Sequence, residues 1–200
     1  MIKINDQHTV PLDEALFVFA LQSEAADVFA DYRHVICGIG KVNASYALLK
    51  AIQEKRPSLI VNLGSAGSAT YKKGEVVCCT KFVQRDMDVR ALGHQLYETP
   101  WSGIPPVMEY GLAMEGLPEA ACGTGDHFET AHATDMYQVV DMEAYALALV
   151  AKKENIPFLS LKYISDGADG QAAEDWPIQV HNAAVAFEAA LQLPKKDLAI

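Results

Sequence analysis

Two hundred residues, half of them hydrophobic and 21% charged, are enough for one globular domain with a sizeable core and rule out a disordered chain. A net charge of −10 without a long Lys/Arg run argues against nucleic acid or an anionic membrane as the main partner; it leaves a small uncharged or cationic ligand open. Cys37, Cys78, Cys79 and Cys122 lack CxxC or Cys/His metal spacing, no apolar run reaches membrane-spanning length and no signal peptide is recognisable. Reduced, buried thiols in a cytoplasmic protein are therefore expected.

In chain order, residues 1–13 read as an edge strand or an arm. Ala15–Ala20 (ALFVFA) is a buried-strand signal, and Ala25–Tyr32 has helical composition with Ser23 as its cap and Glu24 in its first turn. His34–Gly38 is a short apolar strand, and Val42–Lys55 an amphipathic helix stopped by Pro57. Ser58–Leu63 reads as a central strand followed by a Gly64-Ser65-Ala66-Gly67-Ser68 turn. Glu75–Val83 is a strand in which the neighbours Cys78 and Cys79 should face opposite sides of the sheet. Residues 93–120, rich in Pro and Gly, predict a loop with little regular structure. Ala121–Gly125 leads into Asp126-His127-Phe128-Glu129. Tyr137–Val140 is a strand, and Met142–Asn155 a helix capped by Asp141. Ile156–Ile164 is a buried strand closed by a Ser165-Asp166-Gly167 turn, and Pro177–Leu193 a final helix. Strands alternating with helices predict a single-domain α/β fold over residues 1–200, a mostly parallel central sheet flanked by helices on both faces.

In such a sheet, ligands bind beyond the carboxyl ends of the strands, and Glu24, Ser65, Glu143 and Asp166 each fall within a few residues of one. Each also has an ordinary explanation. Glutamates in a first helical turn gain ~0.3–1 kcal/mol from the dipole, and an aspartate after a strand suits a turn. Phe128 would ordinarily be a core ring, and GSAGS lacks both the P-loop lysine and the full dinucleotide fingerprint. Three acids and a glycine-rich segment on one rim nevertheless describe a polar site.

Asn62–Ser68 (NLGSAGS), Gly125-Asp126-His127-Phe128, Asp141-Met142-Glu143-Ala144 and Ile164–Asp169 (ISDGAD) occur in that order. Together with Gly38–Val42 and Ala20–Glu24 they resemble the nucleoside phosphorylase/nucleosidase superfamily, most closely the 5′-methylthioadenosine/S-adenosylhomocysteine nucleosidases. The resemblance implies a nucleoside phosphorylase-like fold and hydrolysis of a purine nucleoside to base and sugar. It implies Asp166 as the general acid at N7 of the leaving purine and Glu24 as the group that activates water. Glu143 and Met142 would hold the ribose, Phe128 would stack on the base, and Glu129, Ser65, Ser165 and Lys162 would complete the substrate site. Cleaving an N-glycosidic bond independently calls for such a pair: an acid for the poor purine leaving group and a carboxylate for water, as in inverting glycosidases. No metal and no cofactor is required, and a homodimer is the assembly the resemblance implies.

Asn62 stands where the phosphorylases carry an Arg, and a carboxylate at Glu24 repels phosphate, so water is the expected nucleophile. Lys162 replaces the usual Arg of these nucleosidases, Glu129 an apolar residue, and Gln95–Ala120 is short for the family. These departures leave the base and the 5′ substituent open, futalosine-like substrates included. A phosphorylase and a catalytically weak nucleoside-binding sensor remain the alternatives.

Overall fold

The computed structural model describes residues 1–132 and 134–194. The strands are β1 (Ile2–Lys3), β2 (Thr9–Val10), β3 (Ala15–Phe19), β4 (His34–Ile36), β5 (Leu59–Gly67), β6 (Val76–Gln84), β7 (Val107–Glu109), β8 (Glu119–Thr124), β9 (Val139–Asp141) and β10 (Phe158–Asp166). The helices are α1 (Gln22–Ala25), α2 (Lys41–Glu54), α3 (Ala144–Lys153), α4 (Ala172–Gln179) and α5 (Ala183–Ala190). None of the described helices is long and apolar enough to cross a membrane.

The expected mostly parallel sheet is corrected: eight strands form a mixed sheet that closes on itself. β10 runs parallel to β5 and antiparallel to β6, β6 parallel to β8, β8 parallel to β9, and β9 returns antiparallel to β5. β3 and β4 extend the sheet in parallel beyond β5, and β7 adds antiparallel to β6. The cause is the link between β5 and β6. Residues 68–75 contain no helix, and a parallel neighbour needs a crossover of a dozen or more residues. The chain therefore turns back, reversing β6 and with it β8 and β9.

Closing the sheet buries the long strands on both faces. Ile60, Ala66, Phe158 and Ile164 join one apolar cluster under α2 and α3, through Leu48, Ile52, Leu147 and Ala151. Leu59, Val61, Leu63, Leu159 and Leu161 join a second with Phe29 and with Phe187 of α5. Cys78 lies in the second cluster and Cys79 in the first, as the strand period demands, and the four cysteines are free and buried.

Three local expectations change. The helix predicted over Ala25–Tyr32 is only the four-residue α1: Ala26 adopts φ 45° and turns follow, with Phe29 wedged at 5.3 and 5.0 Å between ring centroids of Phe17 and Phe19. Burial of the phenylalanine outweighs the helical composition. The final helix is broken into α4, a short 3₁₀ turn over Val180–Asn182, and α5. The GSAGS segment is not a turn, because β5 continues through it to Gly67, paired with β10.

Candidate active site

A cavity of about 220 Å³ opens where β3, β5, β9 and β10 end. Glu24, Ser65, Phe128, Glu129, Met142, Glu143 and Asp166 all line it. Ser165 and Lys162 stand behind this wall and reach it through Asp166 and Asp141. Sequence reasoning missed Arg85 and Trp176 as wall residues and gave Asp141 only a capping role.

The glycines of β5 make room for charge. A methyl group at position 64 would stand 3.3 Å from Lys162 Nζ and 3.5 Å from Glu24 Oε1; one at position 67 would stand 2.5 Å from Asp166 Oδ1. In a strand glycine costs stability, and here it marks close approach of functional groups rather than a turn.

Asp166 is the last residue of β10, buried at 3% exposure. The pairing of β10 with β5 slips between Ile164 and Asp166, leaving Ser165 as the extra residue of a bulge. Such a bulge re-aims side chains. It puts two successive polar residues in touch, Ser165 Oγ standing 2.8 Å from Asp166 Oδ2 and 3.2 Å from Ala66 O. The single hydroxyl proton can serve only one of them. When it goes to Ala66 O, a Ser165 lone pair can accept a proton-bearing Asp166. Burial raises the Asp166 carboxyl above its ordinary value, although Ser165 and the Ala168 N–H, 2.9 Å from Oδ1, pull it back. Oδ1 and Oδ2 are thus held at fixed orientation in a group inclined to keep its proton.

Glu24 has the opposite surroundings. As the third residue after the Leu21 cap, its carboxylate reaches back over the helix start, where Oε2 accepts the Ala20 and Leu21 N–H groups at 3.1 and 3.0 Å. Oε1 accepts both the N–H and the hydroxyl of Ser65, each at 2.8 Å. Four donors hold both carboxylate oxygens in one orientation.

The same site holds a buried ion pair, Lys162 Nζ to Asp141 Oδ2 at 2.8 Å, with both side chains 1% exposed. Asp141 also accepts Thr124 Oγ1 at 2.5 Å and the Ala144 N–H at 2.8 Å; the residue at the cap position of α3 is Glu143 rather than the expected Asp141, which instead serves the first N–H of the helix while holding the lysine. Burial alone would make both groups neutral. Their mutual attraction overcomes it, holding Asp141 below and Lys162 above their ordinary values.

Glu143 sits beside this pair and accepts the Gly40 N–H at 2.9 Å. Burial first, and the Asp141 charge second, push it up to about 8. The folded protein therefore binds a proton there that the unfolded chain releases near 4.5, and stability falls as pH rises through the window from 4.5 to about 8. Glu143→Gln removes that dependence. The variant should be more stable than the wild type at pH 9 by a few kcal/mol, at about 1.4 kcal/mol per pKa unit, and little different at pH 4.5. Thermal melts at the two pH values read this directly; equal shifts at both would contradict a buried proton on Glu143.

At the other end, Arg85, just past β6, has a 2% exposed side chain. Its Nη1 donates to Glu129 Oε2 at 2.7 Å and approaches His127 Nε2 at 2.6 Å, while Nε donates to Gly123 O at 3.2 Å. Arg85 thus fastens the segment that presents Phe128, 45% exposed, at the cavity wall. No cluster of His, Cys, Asp and Glu able to hold a metal occurs among the described residues.

The model of the phosphorylase superfamily matches residues 32–125 and 120–193. Among curated relatives, the 5′-methylthioadenosine/S-adenosylhomocysteine nucleosidase of Exiguobacterium sp. is 32% identical over 158 residues, covering 68% of this chain and 67% of that protein. That of Anoxybacillus flavithermus is 28% identical over 183 residues, covering 80% and 78%. The match to the Bacillus cereus enzyme of the same name, 30% identical over 152 residues, spans 65% of that relative's length. Among solved structures, Helicobacter pylori 5′-methylthioadenosine/S-adenosylhomocysteine nucleosidase superposes with a TM-score of 0.78 at 20% identity over 90% of this chain and 98% of its own. Futalosine hydrolase of the same organism gives 0.80 at 19% identity over 90% and 96%, so the fold is common to both. By sequence and by fold, this chain belongs to the phosphorylase superfamily.

Proposed function

We propose that this chain hydrolyses the N-glycosidic bond of purine nucleosides, releasing free base and sugar. The observation that carries this is the pairing, in one cavity, of a buried carboxyl inclined to keep its proton with a carboxylate gripped by four donors. Asp166 gives its proton to N7 as the C1′–N9 bond breaks and positive charge builds on the sugar. Glu24 takes a proton from the water whose oxygen bonds to C1′. Glu143 and Met142 hold the ribose hydroxyls, Phe128 stacks on the base, and Glu129 lies at the base edge. Ser65 and Ser165 orient the two catalytic carboxyls, and Lys162 fixes Asp141 behind Glu143.

The relatives' names make 5′-methylthioadenosine and S-adenosylhomocysteine the first substrates to test. Phosphate is a poor co-substrate for this cavity. Arg85 is the one arginine on its described wall, and Glu129 already neutralises it. The carboxylate at Glu129 is also the reason to include futalosine and inosine, because it adds an acceptor at the base edge. The test is base release from these nucleosides with and without phosphate. Phosphate-independent release is expected; release only with phosphate would make the chain a phosphorylase, and none at all would favour a binding protein.

Residues 1–200 would act as one domain, paired as a homodimer in the cytoplasm. In support, Val42, Tyr46 and Leu49 form an exposed apolar stripe along α2, continued by Ile39, next to a hollow that shares Met142 with the cavity. Sedimentation of the wild type against Tyr46→Glu tests this: a dimer lost in the variant is expected, and a monomeric wild type would refute it.

A further inference from the structure

Trp176 has no part in the scheme above, yet it touches it. It lies on α4, in the segment that follows Asp166, and its ring forms part of the cavity wall. Its Nε1–H donates to Ser65 Oγ at 2.9 Å, and Ser65 in turn donates to Glu24 Oε1 at 2.8 Å. We propose that Trp176 is a positioning residue that fixes the direction of the Ser65 hydroxyl and thereby the orientation of the attacking water at Glu24. This rests on the hydrolase reading above.

The argument is one of donors and acceptors. An indole N–H can only donate, and a serine hydroxyl has one proton and two lone pairs. With Trp176 on one lone pair and the Ser65 proton on the Glu24 carboxylate, the hydroxyl has a single lone pair left, an acceptor whose direction is set. A water that donates one proton to Glu24 and the other to Ser65 then has both its own lone pairs free to attack the sugar. Without the indole N–H, the Ser65 hydroxyl can rotate and donate to that water. It would then take one of the water's two lone pairs and no longer accept its second proton, so the remaining lone pair loses its fixed direction toward the sugar. A chain of hydrogen bonds ending on a charge is also mutually reinforcing, so losing its outer donor weakens the inner bond. α4 is itself anchored, by the Lys73–Asp175 ion pair and by Tyr163 Oη donating to Gln179 Oε1 at 3.1 Å, so the indole is held by the scaffold.

Trp176→Phe tests this, because it preserves an aromatic wall and removes only the N–H. Its kcat should fall roughly tenfold with KM nearly unchanged, the scale of one hydrogen bond in a charged network. Ser65→Ala should lose a similar factor, and the double variant should lose little more than either single one. In the wild type the Trp176 indole N–H resonance, separated from that of Trp101 by Trp101→Phe, should shift in Ser65→Ala. An unchanged kcat in Trp176→Phe, a loss confined to KM, or full additivity with Ser65→Ala would overturn the positioning role while leaving the hydrolase reading intact. Absence of base release by the wild type would instead overturn the hydrolase reading, and the role of Trp176 with it.

Discussion

Asp166→Asn should lower kcat for base release by about 10²–10⁴-fold, the usual contribution of a positioned general acid, while nucleoside binding persists. The substitution is nearly isosteric. Its amide oxygen can still accept the Ala168 N–H, and its NH₂ can still meet Ser165, so the bulge in β10 has its partners. What is lost is the transferable proton. The pH profile separates this from a packing defect. Because burial raises the Asp166 carboxyl, the acid form survives to higher pH than in an exposed aspartate; wild-type activity falls as pH rises through that value, and this limb should be absent from the residual activity of the variant. Base release measured from pH 5 to 9, with calorimetry for binding, decides it. A variant that retains wild-type kcat would show that the purine takes its proton from elsewhere.

Lys162→Met should be the most damaging single change to stability. It removes the ammonium but leaves the Asp141 carboxylate at 1% exposure, with the hydroxyl of Thr124 and the Ala144 N–H for compensation. Breaking a buried ion pair from one side costs ~3–5 kcal/mol, which in a domain of this size lowers Tm by roughly 6–20 °C. The double variant Lys162→Met/Asp141→Asn should recover much of that, because the amide oxygen still accepts the Ala144 N–H without an unpaired charge. The sign with pH follows from both groups. Asp141 stabilises the fold above its ordinary 3.8 and loses this as pH falls through its lowered value. Lys162 does so below its ordinary 10.5 and loses this as pH rises through its raised value. The gap between wild type and Lys162→Met should therefore be widest near neutrality. Thermal melts of the three proteins check both points, and a double variant no better than the single one would mean that packing, not charge, is what Lys162 supplies.

Much of the site was legible in the sequence because it depends on local order. Glu24 and Glu143 follow a strand by a few residues and Asp166 ends one, and strand ends can be read from apolar runs bounded by polar ones. Their meeting in one cavity follows from adjacent strands, so the resemblance in motif order and the period of the strands pointed to the same wall. The cysteine facing in β6 followed from the two-residue period alone.

The remainder was decided by contacts between distant segments. GSAGS has the composition of a turn, yet its pairing with β10 keeps it extended, and the need for glycine comes from Lys162, Glu24 and Asp166 approaching from other elements. Ala25–Tyr32 has helical composition, but burying Phe29 against Phe17 and Phe19 selects turns. Arg85 and Trp176 occupy no recognisable motif. They belong to the site because β6 runs beside β8 and because α4 folds back over β5, and single-sequence periodicity carries neither fact. The sheet itself closes because residues 68–75 are too short to cross over, a constraint visible only once β5 is known to extend to Gly67. The sequence by itself determined which chemical groups this protein carries and at which strand ends. The tertiary structure alone decided how they are charged, because Asp166, Glu143, Asp141 and Lys162 take their protonation from burial and from partners far away in the chain.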